Sequence, residues 1–216
     1  MKVAKASVAL SGDSAVAVGS TTKLTNTKKN SSRAKITYTS SDDSIATVAA
    51  DGTVTGVKAG KATITAKITV GKDSAETTKD VEVKKFILNS VTQSKLRELT
   101  VDVAGDTKAL KATDFTVVNP KTNVKYPVSK IAVDSKNTTK VTLTMFADLS
   151  DAADYDVTLD GITKSFKATD GKVTSISVDP QTIPYATEKE IKLVSKAANG
   201  VIVKELPYGK ADSSYT

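Results

Sequence analysis

Apolar and polar residues alternate with a period of two along most of this 216-residue chain. Ala34-Lys35-Ile36-Thr37-Tyr38-Thr39 alternates, and so does the run from Ala62 through Ile64, Ala66 and Ile68 to Val70. Further examples are Thr100-Val101-Asp102-Val103, Lys140-Val141-Thr142-Leu143-Thr144-Met145 and Tyr155-Asp156-Val157-Thr158-Leu159. Each run places apolar side chains on one face and Thr, Lys or Asp on the other, the signature of a half-buried β-strand. Turn formers punctuate the runs: Asp51-Gly52, Ala59-Gly60, Gly71-Lys72-Asp73, Asn119-Pro120, Asp160-Gly161, Asp170-Gly171 and Asn199-Gly200. Short alternating strands at this spacing predict an all-β fold of sandwiches. Only Ser90–Leu99 and Thr107–Thr113 are ambiguous between helix and strand.

The strand sets repeat. Val81-Glu82-Val83 closes one set and Phe86-Ile87-Leu88 opens the next; Ser165-Phe166-Lys167 closes the second and Val173-Thr174-Ser175-Ile176 opens a third. The predicted units are therefore 1–84, 85–169 and 170–216. The first two are long enough for one sandwich each, whereas the third is too short to close one, so the chain is expected to be a fragment of a longer protein. Val83-Lys84-Lys85-Phe86 contains no Gly, Ser or Pro linker, which predicts an elongated rod of tandem sandwiches.

Composition narrows the chemistry. The chain has no Cys, His or Trp. This excludes disulfides, thiol nucleophiles, Cys/His zinc sites and a Ser-His-Asp triad. Thr makes up about one residue in seven, as half-exposed strands favour. The net charge of +7 is spread out, with 13 basic and 8 acidic residues in 1–84, 12 and 10 in 85–169, and 6 and 6 in 170–216. Lys28-Lys29 and Lys84-Lys85 are the basic pairs. A nucleic-acid binder concentrates its basic excess on one element, with aromatics for stacking, so none is expected as a partner. No apolar stretch is long enough for a membrane helix, and Met1–Lys5 leads into no apolar signal segment.

At residues 38–66 the first unit carries a recognisable motif. Tyr38-Thr39-Ser40-Ser41-Asp42-Asp43-Ser44-Ile45-Ala46-Thr47-Val48 is followed by Asp51-Gly52-Thr53-Val54-Thr55-Gly56-Val57-Lys58-Ala59-Gly60-Lys61-Ala62-Thr63-Ile64-Thr65-Ala66. This resembles the bacterial immunoglobulin-like domain of group 2, over about residues 3–84. Val18-Gly19-Ser20-Thr21-Thr22-Lys23-Leu24 fits the same pattern, and Tyr38 stands where that family usually has Trp. In such a unit Ile45, Val48, Val54, Val57, Ile64 and Ala66 are expected to face the core, with Asp51-Gly52 in a tight turn. Residues 85–169 resemble, more loosely, the Ig-like repeats of bacterial surface-layer (S-layer) proteins, through Leu88-Asn89-Ser90-Val91-Thr92, Leu99-Thr100-Val101-Asp102-Val103 and Tyr155-Asp156-Val157-Thr158-Leu159-Asp160-Gly161.

Asp148, Asp151, Asp154, Asp156 and Asp160 form the densest acidic run. Carboxylates are the hard oxygen ligands that calcium takes, and S-layer proteins of this kind often hold calcium between domains. Asp148, Asp151, Asp154 and Asp170 are thus the candidate calcium ligands, with Asp179 near the same junction. The competing reading is a solvated turn and an exposed strand face, since the spacing is not that of an EF-hand. Asp42-Asp43 suits Asx hydrogen bonds in a turn. Ser40-Ser41 would need a Lys base to act as a nucleophile, and the nearby Lys residues sit at exposed positions. A Lys–Asn isopeptide bond needs a buried Lys, and none stands inside an apolar run. Tyr155 is expected to place its ring in the core and its hydroxyl on a backbone group.

The resemblances imply a non-enzymatic structural module of a self-assembling, extracellular S-layer at a bacterial surface. It would act by rigid shape and lateral contacts with copies of itself, need no cofactor apart from possible calcium, and meet cell-wall polymer through regions outside this chain. The alternatives are an adhesin-like stalk that binds a host or polysaccharide ligand, and an accessory module of a secreted glycan-active enzyme.

Overall fold

The computed structural model describes residues 6–29, 34–178 and 188–212. Among these residues the chain is all-β apart from two short 3-10 turns. The chain divides into two compact units, residues 1–87 with 103–110, and residues 88–102 with 111–216.

The first unit is built on nine strands: β1 (Ser7–Ser11), β2 (Ala15–Ala17), β3 (Thr21–Lys23), β4 (Thr25–Lys29), β5 (Lys35–Ser40), β6 (Ala46–Val48), β7 (Thr53–Gly56), β8 (Gly60–Val70) and β9 (Asp73–Lys84). One sheet has the order β2-β9-β8-β5, a second β3-β7-β6, and β1 pairs with β4. The β8–β9 hairpin is registered from Gly60↔Val83 to Val70↔Asp73. Its alternation turns Ala62, Ile64, Ala66, Ile68, Val81 and Val83 inward, where each is essentially inaccessible. Val16 of β2, Leu24 between β3 and β4, Ala46 of β6 and Val54 of β7 form one cluster with Ala62, Ile64, Val81 and Val83, so the layers pack face to face. At Gly56 the layers leave no room for a side chain. A Cβ there would sit 2.6 Å from the Ala17 carbonyl oxygen and 2.9 Å from Val83 Cγ1.

Of the six expected core positions three are fully buried, two are partly buried and one is reversed. Val54, Ile64 and Ala66 are buried, and Ile45 and Val48 are partly buried against the cluster. Val57 is 46% exposed. The cause is parity: β7 turns Val54 and Gly56 inward, so the next residue points to solvent, and Val57 leaves the strand by donating its N–H to the Ile45 carbonyl. Asp51-Gly52 does form the β6–β7 turn, closed by the Gly52 N–H on the Ala49 carbonyl.

The remaining strands are β10 (Phe86–Lys95), β11 (Glu98–Gly105), β12 (Phe115–Val118), β13 (Val128–Val133), β14 (Lys140–Met145), β15 (Asp154–Leu159), β16 (Ile162–Lys167), β17 (Ser175–Val178), β18 (Glu188–Lys196) and β19 (Ile202–Asp212). A seven-stranded sheet has the order β13-β14-β11-β10-β19-β18-β17, and a three-stranded sheet the order β12-β15-β16. β10 meets β19 in parallel at the single pair Lys95↔Ile202. Leu99, Val101, Val141, Leu143 and Met145 of the large sheet are buried, as are Phe115, Val117, Tyr155, Val157 and Leu159 of the small one. β15 and β16 are joined by Asp160-Gly161, both at positive φ, 47° and 76°, a two-residue hairpin turn. The two ambiguous stretches resolve as the β10–β11 hairpin and as 3-10 turns at Thr107–Ala109 and Ala112–Asp114.

The inward and outward assignment of β8 has a direct test. Ile64→Ala should cost about 2–5 kcal/mol in denaturant unfolding, the range for a buried large-to-small change. Thr63→Ala and Thr65→Ala should each cost less than about 1 kcal/mol, as exposed substitutions do. Equal losses at the three positions would contradict the register.

Candidate functional site

The acidic run falls in the connection from β14 to β15, along β15 and in the turn after it, and the fold gives Asp148, Asp151, Asp154 and Asp156 separate partners. Asp148 accepts from Arg97 Nε at 2.5 Å. Arg97 stands in the β10–β11 turn, where the Leu149 N–H bonds to the Leu96 carbonyl and the Met145 N–H to that of Arg97. Asp151 Oδ1 accepts the Ala153 N–H at 3.1 Å, and its Oδ2 accepts the Tyr155 hydroxyl at 3.0 Å. Asp154, half-exposed, faces Lys121 Nζ at 3.8 Å. Asp156 accepts from Ser165 Oγ across the β15–β16 hairpin at 2.6 Å. Asp170 accepts the Lys172 N–H at 3.1 Å in a local Asx turn.

Strand parity explains the dispersal. Asp154 and Asp156 project from the outer face of β15, while Tyr155 between them points inward and is only 1% exposed. Asp151 precedes the strand, and Ala152 at φ 55° turns the chain so that the carboxylate of Asp151 lies beneath the tyrosine. The four candidate calcium ligands, Asp148, Asp151, Asp154 and Asp170, therefore meet an arginine, a tyrosine, a lysine and a backbone amide. Among the described residues no group of three or more acidic side chains is gathered to hold a metal ion. Asp179 lies outside the described residues.

Tyr155 corrects its expected role in one respect. Its ring is in the core, edge-on to Tyr126 at 5.0 Å and stacked on Phe166 at 5.7 Å. Its hydroxyl, however, goes to a carboxylate and not to a backbone group. Burial pushes the Tyr155 hydroxyl well above the ordinary tyrosine value, and Tyr126 and Asp151 push it the same way. Gln93 of β10 supports this end of the unit. Its Nε2 donates to the Leu149 carbonyl at 2.7 Å and its Oε1 accepts the Thr169 N–H at 2.8 Å. Neither partner is near Gln93 in sequence, so nothing in the linear pattern marks it.

A second polar cluster lies on the outer face of the large sheet. Asp102 of β11 accepts from Asn89 Nδ2 of β10 at 3.0 Å, from Lys140 Nζ of β14 at 2.8 Å and from Thr139 Oγ1 at 3.3 Å. A Lys–Asn isopeptide bond joins an amine to a carboxamide beside a catalytic carboxyl, and all three groups are present here. Yet Asn89, then Lys140, hold the Asp102 carboxyl below its usual range, and the Lys140 side chain is 41% exposed. An ionised carboxylate against a solvated ammonium is a salt bridge across three strands, not a poised nucleophile. In the first unit Asp42 forms the expected Asx turn, accepting the Ser44 N–H and hydroxyl at 2.9 and 2.6 Å, and these bonds hold its carboxyl below the usual range. Ser40 Oγ and Ser41 Oγ accept the N–H groups of Asp42 and Thr63. Both hydroxyls of the Ser-Ser pair are thus used to shape backbone.

The tyrosine–carboxylate pair predicts a pH dependence with a definite sign. Below the ordinary tyrosine value of 10.0, native and unfolded chains both keep the phenolic proton, and the contribution of Tyr155 is fully present. Above it the unfolded chain ionises first while the native state holds its proton, so stability falls as pH rises. Tyr155→Phe should lower stability by about 1–3 kcal/mol at neutral pH, the cost of a hydrogen bond to a charged group. The same variant should lose less stability than the parent between pH 9 and 11, measured by urea unfolding at each pH.

Comparison with known proteins places the first unit. A relative, the alpha-L-arabinofuranosidase of Bifidobacterium longum subsp. longum, is 62% identical over 47 residues, covering 22% of this chain and 4% of that protein. The chain thus spans a small part of that relative's length. Among solved structures, the N-terminal part of the bacterial S-layer protein SbsC is similar with a TM-score of 0.40 and 17% identity, over 56% of this chain and 32% of that one. A Bacteroides ovatus protein of a mixed-linkage glucan utilization locus, SGBP-B, solved with a mixed-linkage heptasaccharide, is similar with a TM-score of 0.27 and 12% identity, over 97% of this chain and 70% of that one. Residues 5–81, the segment that supplies β1 through β8 and most of β9, match the bacterial Ig-like domain (group 2).

Proposed function

We propose that this chain is a non-catalytic structural module of a bacterial cell-surface protein, one that holds shape under tension and makes lateral contacts with copies of itself. The match of residues 5–81 to the bacterial Ig-like domain supports the class. The observation that carries the mechanical part is the pairing of β2 with β9. These strands run parallel, with Ala15↔Glu82, Val16↔Val83 and Ala17↔Lys84 in register. Bonds from the Glu82 N–H to the Ser14 carbonyl and from the Val18 N–H to the Lys84 carbonyl, each 2.8–2.9 Å, extend the seam.

Tension applied to the two ends of the unit pulls these parallel strands in opposite directions along their own axes. The seam's hydrogen bonds are then sheared together, whereas an antiparallel terminal pair would open one bond at a time. Polar side chains spent on turns and cross-strand pairs fit the same role. In this reading the protein is extracellular, needs no cofactor, and engages wall polymer through other regions. The 62% identity to an arabinofuranosidase over 47 residues favours a second reading, an accessory module of a secreted glycan-active enzyme.

Two measurements decide. In single-molecule pulling on the full chain, Val18→Pro, which removes one seam donor, should lower the unfolding force of the first unit more than Ile64→Ala does. A force that tracks only the thermodynamic cost of each variant would count against the shear seam. On immobilised arabinan or arabinoxylan the structural reading expects no retention of the chain. Retention competed by soluble oligosaccharide would favour the accessory module.

A further inference from the structure

We infer that the solvent face of the β5-β8-β9 sheet is a self-complementary contact for a second copy of this chain. This deepens the proposed function, on which it rests, by naming the lateral surface and its partner. The face is defined by strand parity. The residues of β8 and β9 that alternate with the buried Ala62, Ile64, Val81 and Val83 all point outward, and they are exposed or partly exposed. No large apolar residue is among them.

The charges on this face are sorted by strand. β5 contributes Lys35, and β8 contributes Lys61 and Lys67; β9 contributes Glu76, Asp80 and Glu82. Lys84, at the end of β9, already pairs with Glu82 at 3.3 Å. A basic column therefore lies beside an acidic one, and the hairpin register aligns them row by row. Lys61 stands opposite Glu82, Thr63 opposite Asp80, Thr65 opposite Thr78, Lys67 opposite Glu76 and Thr69 opposite Ser74.

That registration makes the face complementary to itself under one symmetry operation. A two-fold axis parallel to the strands, running between β8 and β9, lays β9 of one copy over β8 of the other and leaves the height along the strand unchanged. Each residue then meets, in the other copy, the same partner type it faces across its own hairpin. Lys61 meets Glu82, Lys67 meets Glu76, and the small Thr65 and Thr78 meet at the middle, where two sheets must approach most closely. An axis perpendicular to the strands would stack β9 on β9, acid on acid, which is excluded by repulsion. The intrachain pair Lys67–Glu76, 2.8 Å apart and about half exposed on both side chains, becomes a four-charge network in the pair.

The size of the patch fixes the strength. The two strands that overlie each other, at about 4.8 Å spacing and about ten residues of about 3.3 Å rise, give roughly 320 Å² per copy. Stable complexes bury about 800 Å² on each side, so this contact is weak by itself. It gains strength only where copies are held in arrays, because linked weak contacts multiply. Its charged character makes it sensitive to salt.

The test uses the full chain, which has no Cys of its own. Thr65→Cys and Thr78→Cys are made separately, and disulfide formation is followed under mild oxidation. The two-fold geometry expects cross-linked dimer chiefly in the mixture of the two variants, several-fold above either alone, and reduced in high salt. In parallel, Lys61→Glu with Lys67→Glu, and Glu76→Lys with Glu82→Lys, are compared by sedimentation at low salt. Each double variant alone should associate less than the parent, and the mixture of the two should recover association. Melting curves like the parent's confirm that the variants fold. Cross-linking no greater in the mixture than in single variants, or charge-reversed mixtures that do not recover, would overturn the proposal. If both double variants keep the unfolding force of the parent while the recovery fails, this face is discarded and the surface-module reading stands.

Discussion

The β8–β9 register is the constraint on which the first unit depends. From Gly60↔Val83 to Val70↔Asp73 it fixes, in one set of hydrogen bonds, which side chains enter the core and which meet water. Because the side-chain period along a strand is two, a slip of one residue on either strand would expose Ile64 or Val81 and bury Lys61 or Glu82. The buried face rewards the correct register through apolar area removed from water, and the outer face penalises the wrong one through desolvated charge. The close approach at Gly56 adds a steric lock, since it lets β7 come within contact distance of β2 and of Val83 on β9. Core, terminal seam and charged face are therefore consequences of a single alignment.

The remainder of the chain solves a different problem. Around Tyr155 the interior is polar as well as apolar, and the fold satisfies it with long-range partners. Gln93 joins the Leu149 and Thr169 segments, Asp151 receives the buried phenol, and Arg97 holds Asp148 at the rim. A buried donor without a partner costs more than a formed bond gains, so such networks specify one arrangement of loops even where they add little net stability. Asp102 does the equivalent work on the outer face by tying β10, β11 and β14 together through three side chains.

Much of this was legible in the sequence, and what escaped it has physical causes. Alternation located the strands, and Asp160-Gly161 marked its hairpin because both positions take positive φ, which Asp and Gly tolerate. Tyr155 read as a core ring for the same reason of parity. Val57 was misplaced because alternation predicts a face only within a strand whose frame is known, and β7 ends at Gly56. The acidic run looked like a ligand set because spacing shows density along the chain. The structure instead parcels those carboxylates among the outer face of β15, a left-handed turn at Ala152 and a distant arginine. The Ser90–Leu99 stretch stayed ambiguous between helix and strand because Gln93 and Arg97 break its alternation, and their partners, Leu149, Thr169 and Asp148, lie more than 50 residues away.

The parallel pairing of β2 with β9 also bears on the order in which the polypeptide becomes structured during synthesis. Residues 15–17 have no partner until residues 82–84 have been made, and the Val18 amide waits for the carbonyl of Lys84. The β2 ladder therefore forms only after nearly the whole unit has been made, although β1 finds its partner β4 within the first thirty residues. The seam that resists shear is thus also among the last contacts that synthesis allows to form.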